Sequence, residues 1–239
     1  MRLIDGHVIA FIWDFDGVIV HTPHEKAWAI ASQVYGAEGF NHEFYRRYVS
    51  GRPRLEGGRL ILELLGVYEK RNITTEADKE KLLKEFTNYK NGIYLSLIRR
   101  GEFKVNWDAI KFIIKAKEQG VIQVLASASK NAWSIANMVE VEGYGKLVNI
   151  FDIDVSGLGK TKAEVFSKAM NLVRQTYNSI NYLFIVFEDS LQGLHVAKSL
   201  GMRTVYYGNT LESTGLADYH ISSFKSLDPI SLIKALRCN

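Results

Sequence analysis

The run Val8-Ile9-Ala10-Phe11-Ile12-Trp13 is apolar at every position, rich in β-formers, and stops abruptly at Asp14. A strand half-exposed to water would alternate polar and apolar residues. An unbroken apolar run needs cover on both faces, the condition of a central strand in a parallel α/β sheet. Similar runs recur at Val121–Ala126, Ile150–Ile153, Tyr182–Phe187 and Arg203–Tyr207, giving five expected strands. Amphipathic stretches separate them: Trp107–Gln119, Asn131–Val141, Thr161–Tyr177 and Leu191–Leu200. Gly120 and Gly201 follow two of these as helix stops. Strands alternating with helices of this length predict βαβ units, hence an α/β core with helices on both faces of a mostly parallel sheet.

The stretch from about Thr22 to Arg100 breaks the rhythm, with long helical patterns and no buried strand. It reads as an inserted α-helical cap, residues 21–100, interrupting a core of residues 1–20 and 101–239. Because ligands of parallel α/β sheets bind beyond the carboxyl ends of the strands, an insertion directly after the first strand is expected to act as a lid.

Composition narrows the partners. The formal charge of +4 arises from basic residues scattered in pairs such as Arg46-Arg47 and Arg99-Arg100, a pattern of solvated faces rather than of a nucleic-acid track. A small anionic substrate suits such a mild excess. The single cysteine, Cys238, excludes an intrachain disulfide and fits a reducing cytoplasm. No apolar run approaches membrane length, so neither a membrane nor a nucleic acid is expected as partner.

The chemistry gathers where the runs end. Asp14-Phe15-Asp16-Gly17 places two carboxylates one residue apart, projecting into one crevice at a strand end. Taken alone the pair would suit a solvated turn equally well. Glu188-Asp189 occupies the equivalent place after Tyr182–Phe187, although Asp189 would also serve as a helix N-cap. Four carboxylates at two strand ends make a hard-oxygen site of the kind Mg²⁺ favours. A third run ends in Ser127-Ala128-Ser129-Lys130-Asn131, whose hydroxyls and amides suit anionic oxygens, or an ordinary helix start. Gly157-Leu158-Gly159-Lys160 offers close backbone approach and a cation for phosphate, a weak signal by itself.

In order and spacing these four segments resemble the haloacid dehalogenase superfamily, whose fold is a Rossmann-like parallel sheet. The resemblance implies that Asp14 is a nucleophile toward phosphorus and Asp16 the general acid/base. Ser127 and Lys160 would hold the transferring phosphoryl group. Mg²⁺ would be bound by the Asp14 carboxylate, the Asp16 backbone carbonyl and Asp189, with Glu188 assisting directly or through water. Branches of the family acting on halides or phosphonates lack the second aspartate, so Asp16 favours phosphate esters, whose alkoxide leaving group needs a proton.

Gly17-Val18-Ile19, His24-Glu25-Lys26-Ala27-Trp28, Gly51-Arg52-Pro53-Arg54 and the Ser127–Asn131 run are similar to the β-phosphoglucomutase-like branch. That likeness implies His24, Arg54, Ser129, Lys130 and Asn131 as substrate-binding residues. The chain departs from the mutases in the short segment His21-Thr22-Pro23 and in Thr161-Lys162, where a proline usually follows the lysine. The expected activity is therefore hydrolysis of a small phosphorylated metabolite such as a sugar phosphate, with a phosphomutase as the alternative and a phosphometabolite-binding regulator third.

Overall fold

The computed structural model describes residues 4, 6–209 and 215–237; Cys238 lies outside them. Two compact units result, one comprising the chain through His21 and from Val105 onward, the other Thr22–Lys104.

The first unit is built on a six-stranded sheet of β1 (Val8–Trp13), β2 (Ile122–Leu125), β3 (Ile153–Asp154), β4 (Tyr182–Glu188), β5 (Arg203–Tyr207) and β6 (Tyr219–Ile221). The spatial order is β6-β5-β4-β1-β2-β3, with every pairing parallel. β1 is central and buried along its whole length. Val8, Ala10 and Ile12 point to one face, in a cluster with Val165, Phe166, Ala169 and Val173 of the helix Lys162–Thr176. Phe11 and Trp13 point to the other, where Phe11 stacks on Phe112 of the helix Trp107–Glu118 and Trp13 lies 3.9 Å above Phe187. The indole N–H of Trp13 donates to the wholly buried Gln123 side chain at 2.8 Å, so this polar core residue is satisfied. Registers Trp13↔Leu125 and Trp13↔Phe187 bring three strand ends level, just before Asp14, Ala126 and Glu188.

Five strands were expected, and among the described residues the parallel sheet has six. The addition, β6, is a three-residue edge strand, too short to leave an apolar run. The expected strand Ile150–Ile153 is displaced: Leu147–Ile150 form a 3₁₀ turn, and the Asp152 carboxylate accepts from Gln123 N at 2.8 Å before β3 begins. The expected helix Asn131–Val141 is only Ala132–Ala136. Glu140–Val141 instead pair with Gly145–Lys146 in a small antiparallel ladder, turned by Gly143 and Gly145 at positive φ.

In the second unit, α1 (His24–Tyr35), α2 (Arg54–Leu64) and α3 (Glu76–Arg99) pack around Trp28, Ala31, Ile61, Leu62, Leu83 and Phe86. Gly36, left-handed at φ 77°, ends α1, and Thr75 caps α3 by accepting from Asp78 N at 3.1 Å. In the first unit the helices continue as α4 (Trp107–Glu118), α5 (Lys162–Thr176), α6 (Leu191–Ser199) and α7 (Pro229–Arg237). Asn106 begins α4 and donates through Nδ2 to Val18 O at 2.9 Å, fastening the re-entry of the core to the loop that follows Asp16. No helix among the described residues is long and apolar enough to cross a membrane.

Candidate active site

Asp14 is the first residue beyond β1; it is 5% exposed, and its N–H donates to Phe187 O at 3.1 Å. Glu188 ends β4 and is fully buried, with Asp189 directly after it. One carboxylate oxygen from each of Asp14, Glu188 and Asp189 lies within 4.8 Å of the others. A single ammonium answers this charge: Lys162 Nζ donates to Asp14 Oδ2 at 2.9 Å and also to Glu188 Oε2.

Three carboxylates and one lysine leave the cluster under-compensated. Burial first, then the charge of Glu188, push the Asp14 carboxyl up to about 7, against the opposing pull of Lys162; Asp16 adds a smaller push. Asp189 is likewise raised, by burial and by Glu188 and Asp14. Burial would lower Lys162, but the attraction of Asp14, Glu188 and Asp189 outweighs it and the ammonium is held well above its ordinary range. A divalent cation would relieve this excess, and an all-oxygen donor set suits Mg²⁺. The donors present thus fit that ion.

Asp16 is half-buried in a tight turn closed by Gly17 N to Val20 O at 2.9 Å and Val20 N to Phe15 O at 3.0 Å. Ser127 is buried beyond β2, where its Oγ accepts from Ser129 N at 3.1 Å; Ser129 Oγ in turn accepts from Asn131 N at 3.3 Å. The loop after β3 closes against it, with Gly157 N donating to Ser127 O at 2.9 Å. Gly157 has φ 70°, and a Cβ there would press on Lys130 Cα at 3.1 Å, so glycine is required at this crossing. Lys130 itself is exposed.

Lys160, expected at the phosphoryl group, stands apart from this cluster. It is exposed, offering its backbone N–H to Glu164 Oε2 at 2.8 Å, while Lys162 two residues on is the cation at Asp14. The reason is the helix start. Thr161 caps α5 by accepting from Glu164 N at 3.2 Å, which places Lys162 in the first turn. The pattern Thr161-x-x-Glu164 is a capping box readable in sequence, and it was the signal for Lys162.

Within the cap, Arg54 is exposed at the start of α2, whereas Arg52 is ion-paired with Glu56. His24 begins α1, stacks on Tyr94 with ring centres 4.2 Å apart, and has its Nδ1 2.7 Å from Lys90 Nζ. With Lys90 as an ammonium, which only donates, Nδ1 is the acceptor of this bond. Lys90 is 2% exposed, between the faces of Trp28 and Tyr94. No sequence pattern marked it, because it lies in a charged helix that reads as solvated.

A family model for haloacid dehalogenase-like hydrolases matches residues 9–201. The chain belongs to this family. A crystal structure of an archaeal β-phosphoglucomutase from the hyperthermophilic Pyrococcus sp. strain ST 04 is 44% identical, with TM-score 0.83, covering 97% of this chain and 100% of that one. A β-phosphoglucomutase structure from Clostridium difficile is 25% identical with TM-score 0.69, covering 95% and 96% of the two chains. A phosphorylated carbohydrates phosphatase of Thermotoga maritima is 26% identical over 203 residues, 82% of this chain and 83% of that protein. This haloacid dehalogenase-like protein is therefore an enzyme of the phosphatase and phosphomutase type with a helical cap.

Proposed function

We propose that the protein is a phosphotransferase of the β-phosphoglucomutase type, shifting a phosphoryl group between hydroxyls of a sugar phosphate through an aspartyl-phosphate on Asp14. The observation that carries the reading is the 44% identity to an archaeal β-phosphoglucomutase along essentially the whole of both chains, cap included. It favours isomerisation over the hydrolysis that the sequence alone put first.

In this reading the Asp14 carboxylate attacks phosphorus while Lys162, donating to Oδ2, favours its ionised form and then faces the negative charge of the phosphoryl oxygens. Asp16 protonates the departing sugar oxygen and afterwards takes the proton from the incoming hydroxyl. Ser127, with Ser129, Lys130 and Asn131 after it, supplies hydroxyl, amide and cationic donors to phosphate oxygens. His24 and Arg54 are proposed as the substrate-binding residues of the cap. Asp14 and Asp189, with the Asp16 carbonyl, would hold Mg²⁺, which offsets charge that would otherwise repel a phosphate dianion.

The 26% match to a carbohydrate phosphatase supports a second reading, in which water accepts the phosphoryl group. Incubation with β-glucose 1-phosphate and Mg²⁺ separates the two. Glucose 6-phosphate appearing ahead of inorganic phosphate is the expected result, and phosphate release without isomerisation would replace the mutase by the phosphatase. Loss of both reactions in Asp14→Asn, with its fold retained, is expected for either.

A further inference from the structure

We infer that the outer face of α3 is a two-fold interface at which a second copy of this chain docks, the two α3 helices lying antiparallel and crossing at Gly92.

The face follows one stripe of the helix. Glu85, Tyr89, Gly92, Ser96 and Arg100 recur at spacings of three or four, so they share one side. Along this side runs an open groove of about 460 Å³, lined by Tyr89, Gly92, Ile93, Ser96 and Arg100. Tyr89 is 43% exposed, with its ring 5.7 Å from that of Tyr35, and Ile93 reaches the groove from the core of the cap. Exposed tyrosine beside a partly buried aliphatic side chain is the composition of an interface centre.

Gly92 is the residue that the packing of a single chain does not explain. Glycine weakens a helix interior relative to alanine, and Gly57 and Gly58 of α2 have close neighbours that require it. A Cβ on Gly92 would meet nothing within 4 Å. Glycine on an open helix face suits the close approach of a backbone from outside the chain.

Charge identifies what approaches. Glu85 stands exposed at one end of the stripe, with no ion pair among the described residues. Arg100 stands at the other end, 3.0 Å from Glu102, a carboxylate that Lys26 already holds at 2.6 Å, so this end keeps a net positive charge. Glu85 and Arg100 lie equally far from the midpoint between Gly92 and Ile93, as do Tyr89 and Ser96. A two-fold axis through that midpoint therefore sets each Glu85 against the other copy's Arg100, and each Tyr89 against the other copy's Ser96. A parallel alignment would oppose like charges instead. An unrelated helix would need no such symmetry, and a small molecule would find the polar groups of the groove, Ser96 and Arg100, exposed rather than converging in a pocket.

Sedimentation equilibrium of the full chain is expected to show a dimer with a dissociation constant of about 10 µM or tighter, weakened by added salt. A chain that stays monomeric at about 100 µM overturns the inference and leaves the groove to a different partner. Glu85→Arg and Arg100→Glu should each loosen the dimer about tenfold or more, and the two combined should restore it to within about threefold of the unaltered chain. Losses that add without recovery overturn the antiparallel pairing. Gly92→Gln has room for its side chain in the single chain, so its circular dichroism and melting should match those of the unaltered monomer while the dimer is lost. A dimer untouched by Gly92→Gln would place the contact on another face and overturn the inference as well.

Discussion

A Cβ on Gly17 would fall inside the carboxylate of Asp189, a residue more than 150 positions along the chain, on the adjacent strand end. The backbone of Gly17 also runs at φ 88°, where a side chain is strained. Glycine is thus what lets the turn after Asp14 and the turn after Glu188 meet. Gly17→Ala should lower turnover by about 100-fold or more, through displacement of Asp189, and cost roughly 1–3 kcal/mol of stability. Steady-state kinetics and thermal melts with and without Mg²⁺ check this; near-normal turnover would show that the two turns need no such contact.

Lys162 and Lys160 should behave oppositely. Removing the ammonium that bridges Asp14 and Glu188 leaves two buried carboxylates facing each other, so Lys162→Ala should reduce kcat by about 10³-fold. Lys160 is exposed, and Lys160→Ala should change kcat less than about threefold, as surface substitutions usually do. The two variants assayed side by side decide which lysine serves the nucleophile.

This pair also shows what the sequence disclosed and what it concealed. Buried strands announce themselves because covering both faces demands apolar residues at every position, so β1 and β4 were legible, and with them the carboxylates at their ends. The lysine was less plain, since its place depends on where α5 begins, which only the Thr161-x-x-Glu164 pattern signals, through the hydrogen bond from Glu164 N to Thr161 Oγ1. Lys90 was hidden for a different reason. Its ammonium meets the rings of Trp28 and Tyr94 and lies beside His24, contacts that no local charge pattern announces.

Gly58 governs the packing of α2 on α3. A Cβ there would overlap Thr87 Cγ2 and stand 3.3 Å from Trp28, both in the core of the cap. Alanine is the better helix former by about 1 kcal/mol, but overpacking a closed core costs about 1–3 kcal/mol, so Gly58→Ala should be neutral to destabilising and Gly58→Val clearly destabilising. Mn²⁺ affinity should be unchanged, because the carboxylates belong to the other unit. Calorimetric melts and metal titration of the two variants test both halves; a more stable Gly58→Val protein would contradict the packing.

The carboxylate cluster fixes how stability responds to pH and to metal. Asp14 and Asp189 titrate above their ordinary 3.8 in the folded protein, Asp14 near about 7, so between those values the folded state binds more protons than the unfolded one. Stability from these groups is therefore present at low pH and is lost as pH rises through that window. Lys162, held above its ordinary 10.5, contributes stability throughout and loses it only in strong alkali, so it does not reverse the trend. A divalent cation binds the ionised carboxylates and should restore what ionisation removes. The rise in melting temperature on adding Mg²⁺ should be larger at about pH 7.5 than at about pH 5, with protons released on binding near about pH 6. Melts at both pH values, and titration calorimetry in buffers of different ionisation enthalpy, measure these quantities. A metal-induced shift that is equal at both pH values, or greater in acid, would mean that the buried carboxylates do not bind the ion.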